Sequence, residues 1–244
     1  MQYLLCNTLD DNYNWILYNS QRKAILFDCG DAKVIKHSLL KHNLHLEYIV
    51  ITHSHQDHIC GVLELIKDTK VKIVGPAKLK HKVDFTLDIE LNNADTINLL
   101  NEVFYVYEAK GHCEDHLIYY SHNLNFLFSG DVLFNFGCGR IFDGSFKDMY
   151  NALKFINTLP KETMIFCGHN YIKHNFNFVK SLNFFNINEI NLKDLKNQPI
   201  SLEFEKKYNP FLNCNSSDFK KVLNLHNKTD EEFFEYLRIL RNAF

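Results

Sequence analysis

Hydrophobic and polar positions follow two different regimes along this chain. Up to about residue 167, short apolar runs rich in β-branched and aromatic side chains are separated by polar turns, at residues 15–18, 24–27, 48–52, 71–74, 103–107, 117–120, 124–129 and 163–167. Runs of this length and content predict strands. Between them lie helical periods. The clearest covers residues 145–159, where Met149, Ala152, Leu153 and Ile156 recur at i, i+3, i+4 and i+7 behind a variant capping box made by Ser145 and Asp148. A second helical period covers residues 59–67. Strands interleaved with helices predict a layered α/β domain. After about residue 170 the strands stop and helix-like mixtures rich in Asn and Lys follow, which predicts a smaller helical domain. In its last segment Thr229 is the N-cap, Glu232 follows three residues on, and Phe233, Leu237 and Leu240 share one face. Pro199 and Pro210 punctuate the loops before it, and the Asn-Lys-rich residues 186–197 read as flexible.

Composition narrows the class. The 244 residues are 46% hydrophobic and 23% charged, which excludes disordered, collagen-like and coiled-coil architectures. A chain this long buries a real core without disulfide staples. The formal charge of −2 gives no counterion-release footing for nucleic acid. No basic leader opens the chain and no 18 apolar residues run together, so neither secretion nor a membrane span is expected. Seven cysteines without a C-x-x-C pair fit a reduced, cytoplasmic setting and exclude a zinc ribbon. The unusual figure is 13 histidines, which matters where they cluster.

They cluster in Thr52-His53-Ser54-His55-Gln56-Asp57-His58, between a strand's C-terminal end and a helix start. Four ligand-type side chains in six residues cannot all reach one tetrahedral ion from a short turn. A splayed loop can send His53 and His55 one way and Asp57 and His58 the other, a geometry for two metals. Other strand ends offer His112, Asp131 and His169, each beside a glycine (Gly111, Gly130, Gly168) where backbone can approach closely. His37, His42 and His45 read as solvated, His81, His122 and His226 carry no partner signal, and His116 and His174 are candidates for supporting the ligands. Asp28, in Phe27-Asp28-Cys29-Gly30, reads equally as an acidic group near the metals or as a turn residue.

These strings resemble the metallo-β-lactamase superfamily and, within it, the glyoxalase II branch, the hydroxyacylglutathione hydrolases. T-H-x-H-x-D-H stands at Thr52–His58, S/T-G-D at Ser129-Gly130-Asp131 and G-H at Gly168-His169. The branch-specific strings are Asp11-Asn12-Tyr13, Gly137-Cys138-Gly139-Arg140, Gly168-His169-Asn170-Tyr171 and Glu205-Lys206-Lys207-Tyr208-Asn209-Pro210-Phe211-Leu212, in the family's order and over nearly the whole chain. The resemblance implies a four-layer αββα sandwich over residues 1–170 and a helical substrate-binding domain over 171–244. It implies one metal on His53, His55 and His112, a second on Asp57, His58 and His169, and Asp131 bridging them, with Asp57 and Asp131 as the catalytic carboxylates. The metals would be two divalent ions, zinc first, with iron or manganese also suited to nitrogen and carboxylate donors.

The implied activity is hydrolysis of S-D-lactoylglutathione to D-lactate and glutathione, a step of methylglyoxal detoxification. A hydroxide between two metals serves as nucleophile, and a thiolate of pKa about 8.5 leaves without a strong acid. Cys60 and Cys138 are then bystanders. For substrate contacts the family offers a basic residue after G-C-G, an aromatic hydroxyl two positions later, the Tyr of G-H-x-Y and basic residues after N-P-F. Here Arg140 and Tyr171 are kept, while Phe142 replaces the Tyr and Asn213 stands where Arg is usual, with Lys206, Lys207, Lys220 or Lys221 as substitutes for the lost charge. Those departures keep two alternatives open on the same fold: a hydrolase of a non-glutathione thioester or lactone, and a mononuclear-iron persulfide dioxygenase. The expected partner is a small-molecule substrate, with no nucleic acid and no membrane.

Overall fold

All eight apolar runs overlap strands in the computed structural model, which describes residues 1–67, 70–196 and 199–244. The chain divides into two units, Met1–Glu108 with Asp115–Gly130, and Ala109–Glu114 with Asp131–Phe244.

In the first unit, β1 (Gln2–Thr8), β2 (Asn12–Tyr18), β3 (Lys23–Phe27), α1 (Ala32–Lys41), β4 (His45–Val50), α2 (Gln56–Ile59), α3 (Val62–Ile66), β5 (Lys72–Pro76) and β6 (Ile89–Leu91) come first. The six strands form one sheet in chain order, antiparallel from β1 to β3 and parallel from β3 to β6. Then β7 (Thr96–Leu99), β8 (Glu102–Glu108), β9 (Leu117–Ser121) and β10 (Phe126–Gly130) form an antiparallel meander. Every residue of β2 is buried, the signature of a strand covered on both faces. On one face Ile16, Leu26 and Ile49 pack with Ile35 and Leu39 of α1 and with Val62 and Leu65 of α3. On the other, Phe27 stacks on Phe128 at 3.5 Å and meets Phe104 and Tyr119 edge-on, joining the sheet to the meander. The carboxyl ends of parallel β3 and β4 open into Asp28 and the 52–58 turn, where open α/β sheets place ligands.

The second unit holds β11 (Leu133–Phe134), β12 (Gly137–Cys138), α4 (Phe146–Ile156), β13 (Met164–Cys167), α5 (Ile172–Ser181), β14 (Ile200–Ser201), α6 (Leu202–Tyr208), α7 (Ser217–Val222) and α8 (Asp230–Ala243). Ser145 caps α4 by accepting from Asp148 N, and Thr229 with Glu232 completes the capping box of α8.

Three expectations need correction. The helical period at 59–67 is two short helices, broken at Cys60-Gly61, where a Cβ on Gly61 would collide with the Ala32 backbone nitrogen and the Cys29 sulfur. Strands do not stop at residue 170, because the two-residue β14 pairs with β13. The 186–197 segment carries apolar anchors that its Asn-Lys content hides: Ile187 is buried with Phe136, Ile172 and Val179, and Ile190, Leu192 and Leu195 pack against them. Asn197 lies outside the described residues. Among the described residues, no helix is long and apolar enough to cross a membrane.

Candidate metal centre and substrate site

In the first unit, one buried carboxylate organises the ligand turn. Asp28 adopts φ 58°, in the left-handed region, and is 3% exposed. It accepts from Thr52 N, Thr52 Oγ1 and His58 Nδ1, each at 2.8 Å. Of the two readings of Asp28, the acidic one describes its work: it ties the end of β3 to the ligand turn after β4. The single Thr52 hydroxyl proton goes to Asp28, so Thr52 Oγ1 accepts from His53 Nδ1 at 2.9 Å. His53 and His58 are therefore both held as Nδ1–H tautomers with the Nε2 lone pair as donor, the arrangement of a metal-binding imidazole. Asp57 is fixed from the other side, since Asn12 Nδ2 donates to its Oδ2 at 2.9 Å and to its backbone carbonyl at 3.3 Å. That contact accounts for the Asp11-Asn12-Tyr13 string. The His53 ring lies 4.7 Å from His55 and 4.2 Å from His58, and fully buried His116 stacks on it at 4.7 Å.

The second unit repeats this logic around Asp131. His112 Nδ1 donates to the Arg140 carbonyl at 2.8 Å, which again leaves Nε2 as the ligating nitrogen. That Nε2 lies 3.4 Å from Asp131 Oδ2, and His169 Nε2 lies 3.2 Å from the same oxygen. Two imidazole nitrogens thus converge on one carboxylate oxygen. All three residues are buried. Glycine is obligatory beside them: a Cβ on Gly139 would run into the Asp131 carbonyl.

The substrate candidates are distributed unevenly. Tyr171 lies parallel to the His169 ring, 4.9 Å away, and Phe134 stands edge-on to Tyr171 at 5.1 Å. Arg140 is exposed, and Phe142 is 60% exposed with its ring 5.2 Å from His112. Asn213 has a capping role, because its amide donates to the carbonyls of Lys206 and Asn209, both at 2.8 Å. The four lysines named as substitutes have partners of their own: Lys206 on the Leu159 carbonyl, Lys207 over the Tyr208 ring, Lys220 on Asp230 and Lys221 on Asp218.

A cation that motif reading missed is Arg241, on the last turns of α8. Its guanidinium donates to Asn175 Oδ1 at 3.0 and 3.2 Å. Burial first, then the charges of Arg238 and Arg140, lower its pKa to about 10, and Tyr171 is another of its electrostatic neighbours. Arg238 and Arg241, three apart on an amphipathic helix, were the available signal.

Of the other histidines, His174 is exposed, 6.1 Å from the Phe244 ring, and burial followed by the charge of Arg241 lowers its pKa. His122 does have neighbours, the rings of Tyr105 and Tyr120. Burial raises the thiols of Cys60 and Cys138, which keeps both protonated and poor nucleophiles.

The chain matches two family models, "Metallo-beta-lactamase superfamily" over residues 9–169 and "Hydroxyacylglutathione hydrolase C-terminus" over 170–244. It is 36% identical to the hydroxyacylglutathione hydrolase of Buchnera aphidicola subsp. Baizongia pistaciae, covering 99% of both chains. It is also 36% identical to that of Pectobacterium carotovorum subsp. carotovorum, covering 100% of both. Among solved structures, it resembles the BLEG-1 B3 metallo-β-lactamase at TM-score 0.71 and 22% identity, covering 86% of this chain and 99% of that one. ETHE1 from Myxococcus xanthus matches at TM-score 0.70 and 23% identity, covering 98% and 91%. At these identities the structural likenesses speak to fold alone.

Proposed function

The chain belongs to the hydroxyacylglutathione hydrolase family of the metallo-β-lactamase superfamily, and we propose on that premise that it hydrolyses glutathione thioesters, S-D-lactoylglutathione first, at a centre of two divalent metals. The catalytic domain would comprise residues 1–170 and the helical substrate domain 171–244. The observation that carries the metal reading is Asp131 Oδ2 with the Nε2 atoms of His112 and His169 on it. In this reading His53, His55 and His112 would hold one ion, Asp57, His58 and His169 the other, and Asp131 would serve both. Nitrogen and carboxylate donors without thiolate suit zinc, iron or manganese.

Such ions supply a hydroxide nucleophile at neutral pH and polarise the thioester carbonyl. The protein's own part is to fix the donors. Asp28 and Thr52 hold the imidazoles of His58 and His53 in the ligating tautomer, and Asn12 holds one oxygen of Asp57. Tyr171 and Arg140 bind the glutathione portion, and Arg241 supplies the cation that Asn213 lacks. The seven cysteines, none of them in a disulfide, support a cytoplasmic setting.

The phenyl ring at Phe142 and the capping role of Asn213 favour a second reading, a thioester hydrolase with weaker demand for glutathione. Elemental analysis of purified protein, with hydrolysis of S-lactoylglutathione measured beside a small-thiol thioester, tests both. Two metals per chain with strong preference for the glutathione thioester is the expected result, and one metal at saturation or sulfite production from glutathione persulfide and oxygen overturns it.

A further inference from the structure

Glu205, in α6, is fully buried, and its contacts are backbone and side-chain amides. Phe136 N and Asn209 Nδ2 donate to its Oε2, both at 2.9 Å, and Asn135 Nδ2 donates to its Oε1 at 3.2 Å. The same Asn209 amide donates to the carbonyls of Phe134 and Gly137 at 3.2 and 3.0 Å, bridging the two strands of the β11–β12 hairpin. That hairpin has two-residue strands, too short to hold its own shape. At its tip Phe136 sits at φ 58°, a left-handed conformation that is strained for a bulky side chain and persists only where the surroundings impose it. Its ring is buried against Phe176 and Phe204. The hairpin leads at one end from Asp131 and at the other into Gly139-Arg140, and between them its Phe134 ring stands edge-on to Tyr171 at 5.1 Å and to His169 at 5.8 Å.

We propose that Glu205 is a positioning residue for substrate recognition: its buried carboxylate, with Asn209, locks the β11–β12 hairpin so that Phe134 sets the Tyr171 ring and the approach of Arg140. The inference rests on the reading of Tyr171 and Arg140 as substrate contacts. A carboxylate suits the task because three converging donors require acceptors at both oxygens, which no neutral side chain of this length offers. Burial raises the Glu205 acid to about 7 from 4.5, against the pull of its three accepted hydrogen bonds, so the anion that accepts at both oxygens is the form reached above about pH 7, where the kinetics below are read.

The test uses two variants and their combination in metal-loaded enzyme. Glu205→Gln turns an NH2 group against a donor, and Asn135→Asp alone sets two carboxylates face to face. Together, E205Q/N135D restores a donor–acceptor pair with the charge moved across. Steady-state kinetics on S-lactoylglutathione and on a lactoyl thioester of a small thiol are measured with metal content, melting temperature and the NMR signal of 13C-labelled Tyr171. Each single variant is expected to raise KM for the glutathione thioester by about tenfold, with kcat within about twofold, unchanged KM for the small thioester and a displaced Tyr171 signal. The double variant should reverse these changes. An unmoved Tyr171 signal in a folded single variant, or equal losses on both thioesters that follow melting temperature, overturns the proposal. If wild type treats the two thioesters alike, the glutathione reading fails instead, and the Tyr171 signal still decides the role of Glu205.

Discussion

The ligand turn at residues 52–58 and the β11–β12 hairpin are both short loops held by a buried carboxylate, yet they are held differently. Asp28 reaches the turn from 24 and 30 residues away, along adjacent parallel strands of one sheet. Glu205 reaches the hairpin from about 70 residues away, from a different helix. In the turn the carboxylate works on the donors themselves, fixing which nitrogen carries a proton. In the hairpin it works on backbone shape, and the chemistry is carried by neighbours. A defect in the first should appear as lost metal, and a defect in the second as lost substrate affinity.

The largest expected effect separates the two regions most sharply. Asp131→Ala removes the oxygen on which two imidazoles converge and should abolish most activity together with at least one metal, read by elemental analysis. Next, Asp28→Ala leaves His58 without its Nδ1 acceptor and should weaken metal affinity by about 10- to 100-fold, the usual consequence of losing such a partner, measured by chelator competition. A wild-type affinity in this variant would erase the contrast. Third, Arg241→Gln should raise KM for the glutathione thioester by about tenfold with metal content intact, the loss of one charged contact of about 1.4 kcal/mol. Phe142→Tyr should lower KM by a similar factor if the hydroxyl finds its partner. Asn213→Arg should instead destabilise the fold, since it deletes two hydrogen bonds worth about 1 kcal/mol each.

The smallest effect is in pH dependence. Glu205 keeps its proton in the folded state up to about pH 7, whereas the unfolded chain releases it near 4.5. Between those values the unfolded state binds fewer protons, so stability falls as pH rises from about 4.5 to 7 and then levels. Denaturant melts of wild type and Glu205→Gln across that window should show wild type losing ground to the variant as pH rises.

The same contrast explains what was legible beforehand. Strands such as β2 and β9, and the helices α4 and α8, announce themselves because apolar period and caps lie within one stretch of sequence. The ligand turn is equally local, with His53, His55, Asp57 and His58 side by side. Strand ends beside glycines offered His112, Asp131 and His169, and the family motifs assigned each its metal. What could not be read is whatever depends on distant partners: the role of Asp28, the capping by Asn213, the placement of Arg241 and the anchoring of Ile187. Short strands such as β6, β11 and β14 also escaped, because two or three residues carry no period.

One detail of the ligand turn has a practical consequence. Of the seven cysteines, Cys60 is the exposed one, its sulfur 2.9 Å from the Gly30 carbonyl and its backbone two residues past His58. A bulky maleimide dye will attach there first, and faster as alkalinity frees the thiolate. The molecule thus carries a natural labelling handle two residues past His58, without any engineered residue.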